Sequence, residues 1–413
     1  MFKNILNTVL TKGISAVCNF VVAVFISNYL GAEGKGEASL LITNVAVVML
    51  FVNFFGGATL AYLVAKYNSI KVLKVAFLFS FLIVIVSFFL FFIFTNNLFL
   101  VINCSVLSII IAISTVFQNF LIGKNKVSVY NLVLVSQSVI LLMCVLIGFN
   151  FNVSLNVYLF ALYFSYFISL FIAVFFYLKY KSDIAENTKV VEFKEILSFG
   201  FQNQISHVLN LFLMRSSYYF LIFNTTNFEV GVFSNALIVV EGIWLFAMSF
   251  STVQYAKIIN STRIEAVDLT LFLMRISFYI SGVIWFILIC MPSTVFVAIF
   301  GEDFNELKNI IVYLGPGIIL YNFSIIIGHF FSGTGKFKIN TYASLISVLC
   351  GFVFLGITIN TFNIKNAIVF HNITYIVTTA CLILFFIRET KTKFVFLFYN
   401  KNDFSMIKNS LKR

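Results

Sequence analysis

Twelve apolar stretches, each long enough to cross a bilayer, follow one another through this chain, separated by short gaps rich in Lys, Asn and Gly. Hydrocarbon offers no water to a bare N–H or C=O, so a crossing segment must close its own hydrogen bonds as a helix of about 20 mostly apolar residues. The stretches fall near 5–30, 38–64, 73–94, 98–122, 128–150, 156–178, 197–222, 229–254, 270–298, 308–332, 338–360 and 366–387. They leave no length for a separate soluble core. Hydrophobic residues make up 61% of the 413 and charged residues 10%, and the mean hydropathy is +1.04, far from the composition of a soluble domain. The expected fold is an all-α polytopic membrane protein with twelve transmembrane helices.

Orientation follows from where the cations lie, because Lys and Arg are retained on the cytoplasmic side. Alternate gaps hold Lys3 and Lys12, then Lys66, Lys71 and Lys74, then Lys124 and Lys126, then Lys179, Lys181, Lys189 and Lys194. The same side continues with Lys257, Arg263 and Arg275, then Lys336 and Lys338, then Arg388, Lys391, Lys393 and the basic residues up to Arg413. Only Lys35, Lys308 and Lys365 fall opposite, and Arg215 lies inside a span. Both termini are therefore expected in the cytoplasm, with the protein multi-pass in a bacterial inner membrane. The net charge of +12 is accounted for by this topology and by anionic lipid headgroups, so nucleic acid is not an expected partner. The first stretch contains Lys12, has no small-residue cleavage site and precedes further spans, so it reads as a retained helix and not a signal peptide. Cys18, Cys104, Cys144, Cys290, Cys350 and Cys381 all fall within spans without paired or metal-ligand spacing, and are expected to be packing residues. No metal or cofactor is expected.

The chain reads as two similar halves. Phe2-Lys3-Asn4-Ile5-Leu6 recurs as Phe193-Lys194-Glu195-Ile196-Leu197, and Ile14-Ser15 as Ile205-Ser206 at the same separation. Further on, Gly123-Lys124-Asn125-Lys126 matches Gly335-Lys336-Phe337-Lys338. Six spans per half keep both halves in one orientation, which implies two pseudo-symmetric six-helix lobes around a central cavity. The expected division is an N-terminal lobe over 1–178, a charged cytoplasmic linker over 179–196, a C-terminal lobe over 197–388 and a basic cytoplasmic tail over 389–413.

Ionised groups within spans cost about 2.5–3.5 kcal/mol at the bilayer centre, so they persist where they face water, a partner or a ligand. Arg215 is the clearest case; at helical spacing it shares a side with Gln204, next to a stripe of Asn203, His207 and Asn210. In the repeat, Asn203 corresponds to Lys12 and Asn210 to Asn19, which gives spans 1 and 7 equivalent polar faces. Alternative roles stay open for each: Arg215 and Lys12 can snorkel to an interface, the Asn residues can serve as interhelical hydrogen-bond partners, and His207 can be structural. Glu241 is the one carboxylate deep in a span, able either to pair with Arg215 or to titrate during transport. Gly315-Pro316-Gly317 interrupts span 10 as a candidate hinge. Enzyme and ATPase signatures do not stand out: Glu302, Asp303 and Glu306 have no His or Cys neighbour and read as a solvated face, and His329 and His371 fall in different spans.

Several segments resemble a known family. Tyr29-Leu30-Gly31-Ala32-Glu33-Gly34-Lys35-Gly36 is similar to the Leu-Gly…Gly turn of Wzx-type O-antigen/polysaccharide flippases, within the multidrug/oligosaccharidyl-lipid/polysaccharide (MOP) exporter superfamily. Val230-Gly231-Val232-Phe233-Ser234-Asn235-Ala236 with Glu241 following, Phe300-Gly301-Glu302-Asp303-Phe304 leading to Leu314-Gly315-Pro316, and Gly333-Thr334-Gly335-Lys336 resemble it too, so the likeness spans the chain. Ala256-Lys257-Ile258 departs from the Pro that many relatives carry there, and an Asn-rich signature common in span 11 is missing. The resemblance implies a two-lobed transporter, not an enzyme, that moves an undecaprenyl-pyrophosphate-linked oligosaccharide, an O-antigen or capsule repeat unit, from the cytoplasmic to the periplasmic leaflet by alternating access. Polysaccharide polymerase and chain-length regulator are the protein partners it implies. Against that chemistry Arg215 and Lys12 are the candidate phosphate contacts, Asn19, Asn203, Gln204 and Asn210 the candidate sugar contacts, and Glu241 or His207 the candidate coupling group. A multidrug or small-solute antiporter of the same superfamily, and a membrane-embedded polysaccharide polymerase or acyltransferase, are the competing classes.

Overall fold

The computed structural model describes residues 2–56, 60–61, 63–64, 67–95, 97–124, 126–181, 193–258 and 262–393, with side chains left undescribed at 2–9, 193–204, 206–207 and a few single positions. Most of the expected linker and all but the first residues of the expected tail lie outside the described residues.

All described regular structure is helical: α1 (Phe2–Gly56), α2 (Ser69–Phe94), α3 (Leu98–Gly123), α4 (Val127–Phe151), α5 (Leu155–Tyr180), α6 (Phe193–Asn224), α7 (Asn227–Gly242), α8 (Leu245–Ile258), α9 (Arg263–Cys290), α10 (Ser293–Phe300), α11 (Leu307–Gly333), α12 (Phe337–Thr358) and α13 (Ile364–Thr390), with a 3-10 turn at Glu302–Phe304. Nine of these are long and apolar enough to cross a membrane, or up to ten if the bent pair α7/α8 counts as one crossing, which makes this a multi-pass membrane protein. The apolar run Leu10–Phe55 covers 46 residues, about twice what one crossing requires. It breaks at Gly31 (φ 68°, ψ −174°), between the first two expected spans. α6 is not among the nine; its first half carries Gln202, Asn203, Gln204, His207 and Asn210.

Asn punctuation in the sequence becomes helix caps. Asn68 accepts from the Ile70 and Lys71 amides at 3.2 Å each, Asn97 from Leu100 at 3.1 Å and Asn363 from Asn366 at 3.2 Å. Thr262 and Glu265 form a capping box at the start of α9. Each cap satisfies N–H groups that a helix leaves open at its first turn.

The described chain divides into two compact units. Unit 1 is Met1–Leu211 with Thr226–Gly231 and Ile299–Asp303; unit 2 is Phe212–Thr225, Val232–Ala298 and Phe304–Arg413. Within unit 1, α3 packs on α2 and α5, and α4 on α5; within unit 2, α11 packs on α9 and α13, and α12 on α13. The helix order that repeats in sequence thus repeats in packing.

The turns between α3 and α4 and between α11 and α12 repeat bond for bond. Lys126 N–H donates to Leu121 O (2.9 Å) and Lys336 N–H to Phe331 O (2.7 Å), each five residues back, while Lys124 and Thr334 each donate four residues back at 3.0 Å. These are the 6→1 bonds of a helix stop that uses up orphaned carbonyls. They align Gly123 with Gly333 and Lys126 with Lys336, correcting the sequence alignment of Gly123 with Gly335 by two residues. Identical letters misled the alignment; the hydrogen bonds fix the register.

A second correction concerns Arg275, whose place in the sequence grouped it with the cytoplasmic cations. α9 begins at Arg263, so Arg275 lies more than three turns inside it and is 3% exposed. Asp303, expected on a solvated acidic face, is exposed and also caps a helix. Its Oδ2 accepts the Ala32 N–H at 2.8 Å, and Ala32 is the first residue after the break at Gly31, so Asp303 caps the restarted second half of α1.

Around that cap, unit 1 gathers Tyr29–Gly36 with Val230–Gly231 and Phe300–Asp303, parts of three segments on which the family resemblance rests. Asn28 Nδ2 donates to Ile299 O. Ala32 and Gly36, one turn apart, leave the helix surface low enough for the start of α7 to touch it by backbone. A Cβ added at Gly36 would meet the Asn227 carbonyl, and one added at Gly231 would meet the Ala32 carbonyl. Small residues at i and i+4 are what close helix contact in a membrane needs.

Candidate functional site

The bend between α7 and α8 and the proline of α11 both fall within apolar sequence, and polar side chains gather near them. α7 and α8 meet at a 46° bend around Gly242–Trp244. In α11, Pro316 lies inside the helix and has no N–H for the carbonyl four residues back. One position on, Gly317 N–H donates to Asn372 Oδ1 and Asn372 Nδ2 donates to Tyr313 O, both at 2.8 Å. One side-chain amide from α13 therefore braces the turn of α11 that contains the proline. Gly315-Pro316-Gly317, a candidate hinge by sequence, lies within one continuous helix, Leu307–Gly333. Trp244, at the α7/α8 bend, donates Nε1–H to Ile318 O at 2.9 Å, tying that bend to the proline turn of α11.

Replacing Asn372 by Leu removes both hydrogen bonds between α13 and α11, at a cost of about 2 kcal/mol. Thermal unfolding in detergent should show that loss.

Arg215 of α6 and Glu241 of α7 form a two-pronged ion pair beside the α7/α8 bend. Arg215 Nη1 donates to Glu241 Oε1 at 2.7 Å and Nη2 to Oε2 at 3.0 Å. Arg215 Nη1 also donates to Met214 O at 3.1 Å. These bonds use three of the five guanidinium N–H groups and leave the rest for a ligand. Both side chains keep some accessibility, 27% for Arg215 and 20% for Glu241. The guanidinium also lies 5.7 Å from the Tyr218 ring centroid, within cation–π range.

An aromatic and imidazole layer backs the pair. Trp244, Tyr321 and Tyr375 lie with ring centroids 4.8–5.4 Å apart. His371 is fully buried, with Nε2 2.9 Å from Ser217 Oγ and Nδ1 2.9 Å from the Tyr375 hydroxyl. Both ring nitrogens are thus engaged, linking α6 to α13. Deeper in unit 2, Asn322 donates to the Ile318 and Ile319 carbonyls at 3.1 Å each and accepts from Ser277 at 3.3 Å.

Of the residues singled out from sequence, the structure brings Arg215 and Glu241 into contact. Lys12 and Asn19 are exposed on the first part of α1, in unit 1, and Asn210 is half-buried at the edge of that unit. The side chains of Asn203, Gln204 and His207 lie outside the described residues. Sequence reading passed over Asn372, Ser217, Tyr321, Tyr375 and Trp244, and weighed His371 only as a metal ligand. The available signal was the Gly-Pro-Gly segment, since proline in a membrane helix frees a carbonyl that a neighbouring side chain must satisfy. Among the described residues no group of three or more His, Cys, Asp or Glu could hold a metal ion.

No protein-family model and no curated protein matches the sequence. The fold, however, is that of solved MOP-superfamily transporters. An inward-facing multidrug resistance MATE family transporter superposes with a TM-score of 0.71 at 14% identity, covering 91% of this chain and 94% of that one. A MOP superfamily transporter from Pyrococcus furiosus, described as having a binding pocket of reverse polarity, gives 0.64 at 14% identity over 94% of each chain. The lipid II flippase MurJ in an inward closed conformation gives 0.71 at 16% identity, covering 98% of this chain and 90% of that one. At such identities the likeness establishes the fold, and these neighbours are transporters and a flippase.

Proposed function

We propose that the protein is a flippase that carries an undecaprenyl-pyrophosphate-linked oligosaccharide from the cytoplasmic to the periplasmic leaflet of a bacterial inner membrane by alternating access, upstream of a polysaccharide polymerase and its chain-length regulator. The observation that supports this reading is the Arg215–Glu241 pair, a cation with unused N–H donors set beside the α7/α8 bend and masked by a single carboxylate. With Glu241 ionised the pair is neutral. Displacing Glu241 would free the guanidinium for an anion, and Arg is the side chain best shaped for phosphate oxygens. The anionic headgroup would compete with Glu241 for the guanidinium, while the polyprenyl tail stays in lipid. Lys12, Asn19, Asn203, Gln204, His207 and Asn210 are the contacts proposed for unit 1, the cation for phosphate and the amides for sugar hydroxyls, with His207 as a candidate proton carrier.

In cells that depend on this chain for surface polysaccharide, Arg215→Ala should abolish the polymer with the protein still in the membrane, and Arg215→Lys should keep part of it. Full polymer in Arg215→Ala would remove Arg215 from the site. A multidrug antiporter is the second reading, favoured by the Trp244, Tyr321 and Tyr375 rings beside a carboxylate, a set that suits an organic cation. That reading requires Glu241→Gln to sensitise cells to cationic drugs and leave polysaccharide unchanged.

A further inference from the structure

Away from the ion pair, unit 1 has a groove of about 520 Å³ between α2 and α3, within the size range of small-molecule sites. Its walls are apolar, among them Phe81 and Val84 of α2 and Ile109 and Ala112 of α3. Two polar side chains also border it. Ser80 donates its hydroxyl to Ala76 O at 2.7 Å, so its polarity is spent within its own helix. The other is Lys74, exposed and near the start of α2. Lys71, also exposed, precedes it by three residues on the same helical face.

The ligand chemistry follows from this arrangement. Lys74 and Val84 are ten residues apart, about 15 Å along a helix, so an occupant must present a hydrocarbon run of that length below an anionic head. Leu78 and Phe81 on the same face are 73% and 59% exposed, which places the groove on a face of α2 open to bilayer lipid. We propose that this groove binds one acyl chain of an anionic phospholipid from the leaflet on the lysine-rich side, with the lipid phosphate held by Lys74 and Lys71. A neutral lipid fits the walls equally well and gains nothing from the lysines. Basic pockets between membrane helices on that side are a recurring mode of anionic-lipid capture.

Native mass spectrometry of the full chain, delipidated in detergent and titrated with phosphatidylglycerol or phosphatidylcholine of the same acyl composition, tests this. Wild type should retain one phosphatidylglycerol with at least a tenfold preference over phosphatidylcholine. Lys74→Gln, a change on an exposed side chain, should lower that preference by about fivefold, the effect of one cation at an anionic surface. Ala112→Phe, which fills the groove, should cut retention of both lipids to the level of non-specific adducts. Equal retention of the two lipids by wild type would overturn the proposal. So would a phosphatidylglycerol preference that survives both substitutions, or a lipid-free dimer as the main species.

Discussion

Arg215→Ala is expected to lower stability by about 3 kcal/mol, the low end of the cost of removing one partner from a buried ion pair; the partial accessibility of both side chains moderates that cost. The loss arises because Glu241 is left charged, without its two 2.7–3.0 Å partners, in a setting with little water to replace them. Arg215→Met combined with Glu241→Leu removes both charges at similar volume, and should return to within about 1 kcal/mol of wild type. Thermal unfolding in detergent reads both. The double variant is the informative one for function, since it is stable and lacks the proposed phosphate contact; it should transport no better than an empty membrane. A single variant as stable as wild type would mean that water already solvates the pair.

Gly231→Ala carries the second large effect. The added Cβ would land on the backbone carbonyl of Ala32, and backbone cannot turn aside as a side chain can, so the start of α7 must move away from α1. Overpacking of this kind costs about 3 kcal/mol or slightly more. Gly36→Ala, facing the Asn227 carbonyl, should behave alike. Gly282→Ala is the control: nothing lies within 4 Å of its added methyl, and Ala in place of Gly within a helix stabilises by about 0.5–1 kcal/mol. Parallel melting curves of the three variants should therefore diverge in sign.

These two expectations show where the sequence was legible. Helix positions were readable because spanning segments must be long, apolar and capped, and Asn68, Asn97 and Asn363 marked their starts. The Arg215–Glu241 contact was readable because charge is rare in such a chain and seeks its opposite. What stayed hidden depends on contacts between residues far apart in sequence. Nothing near Asn372 signals that its amide braces a helix more than fifty residues earlier, and nothing near the exposed Asp303 signals that it caps the Ala32 amide. Arg275 was grouped with the gap cations although the expected span 270–298 already contained it, and the structure buries it more than three turns into α9. The repeat was visible in Gly and Lys letters, but its register lay in the 6→1 hydrogen bonds of Lys126 and Lys336.

Translocation itself is the most direct measurement. Purified chain reconstituted in vesicles loaded with undecaprenyl-pyrophosphate-linked oligosaccharide on the inner leaflet can be followed by the fraction of sugar that an external glycosidase cleaves. Wild type should bring that fraction close to completion well before protein-free vesicles, and the Arg215→Met/Glu241→Leu double variant should track the protein-free curve. Equal curves for wild type and protein-free vesicles would contradict the flippase account, and a double variant as fast as wild type would contradict the role given to the ion pair.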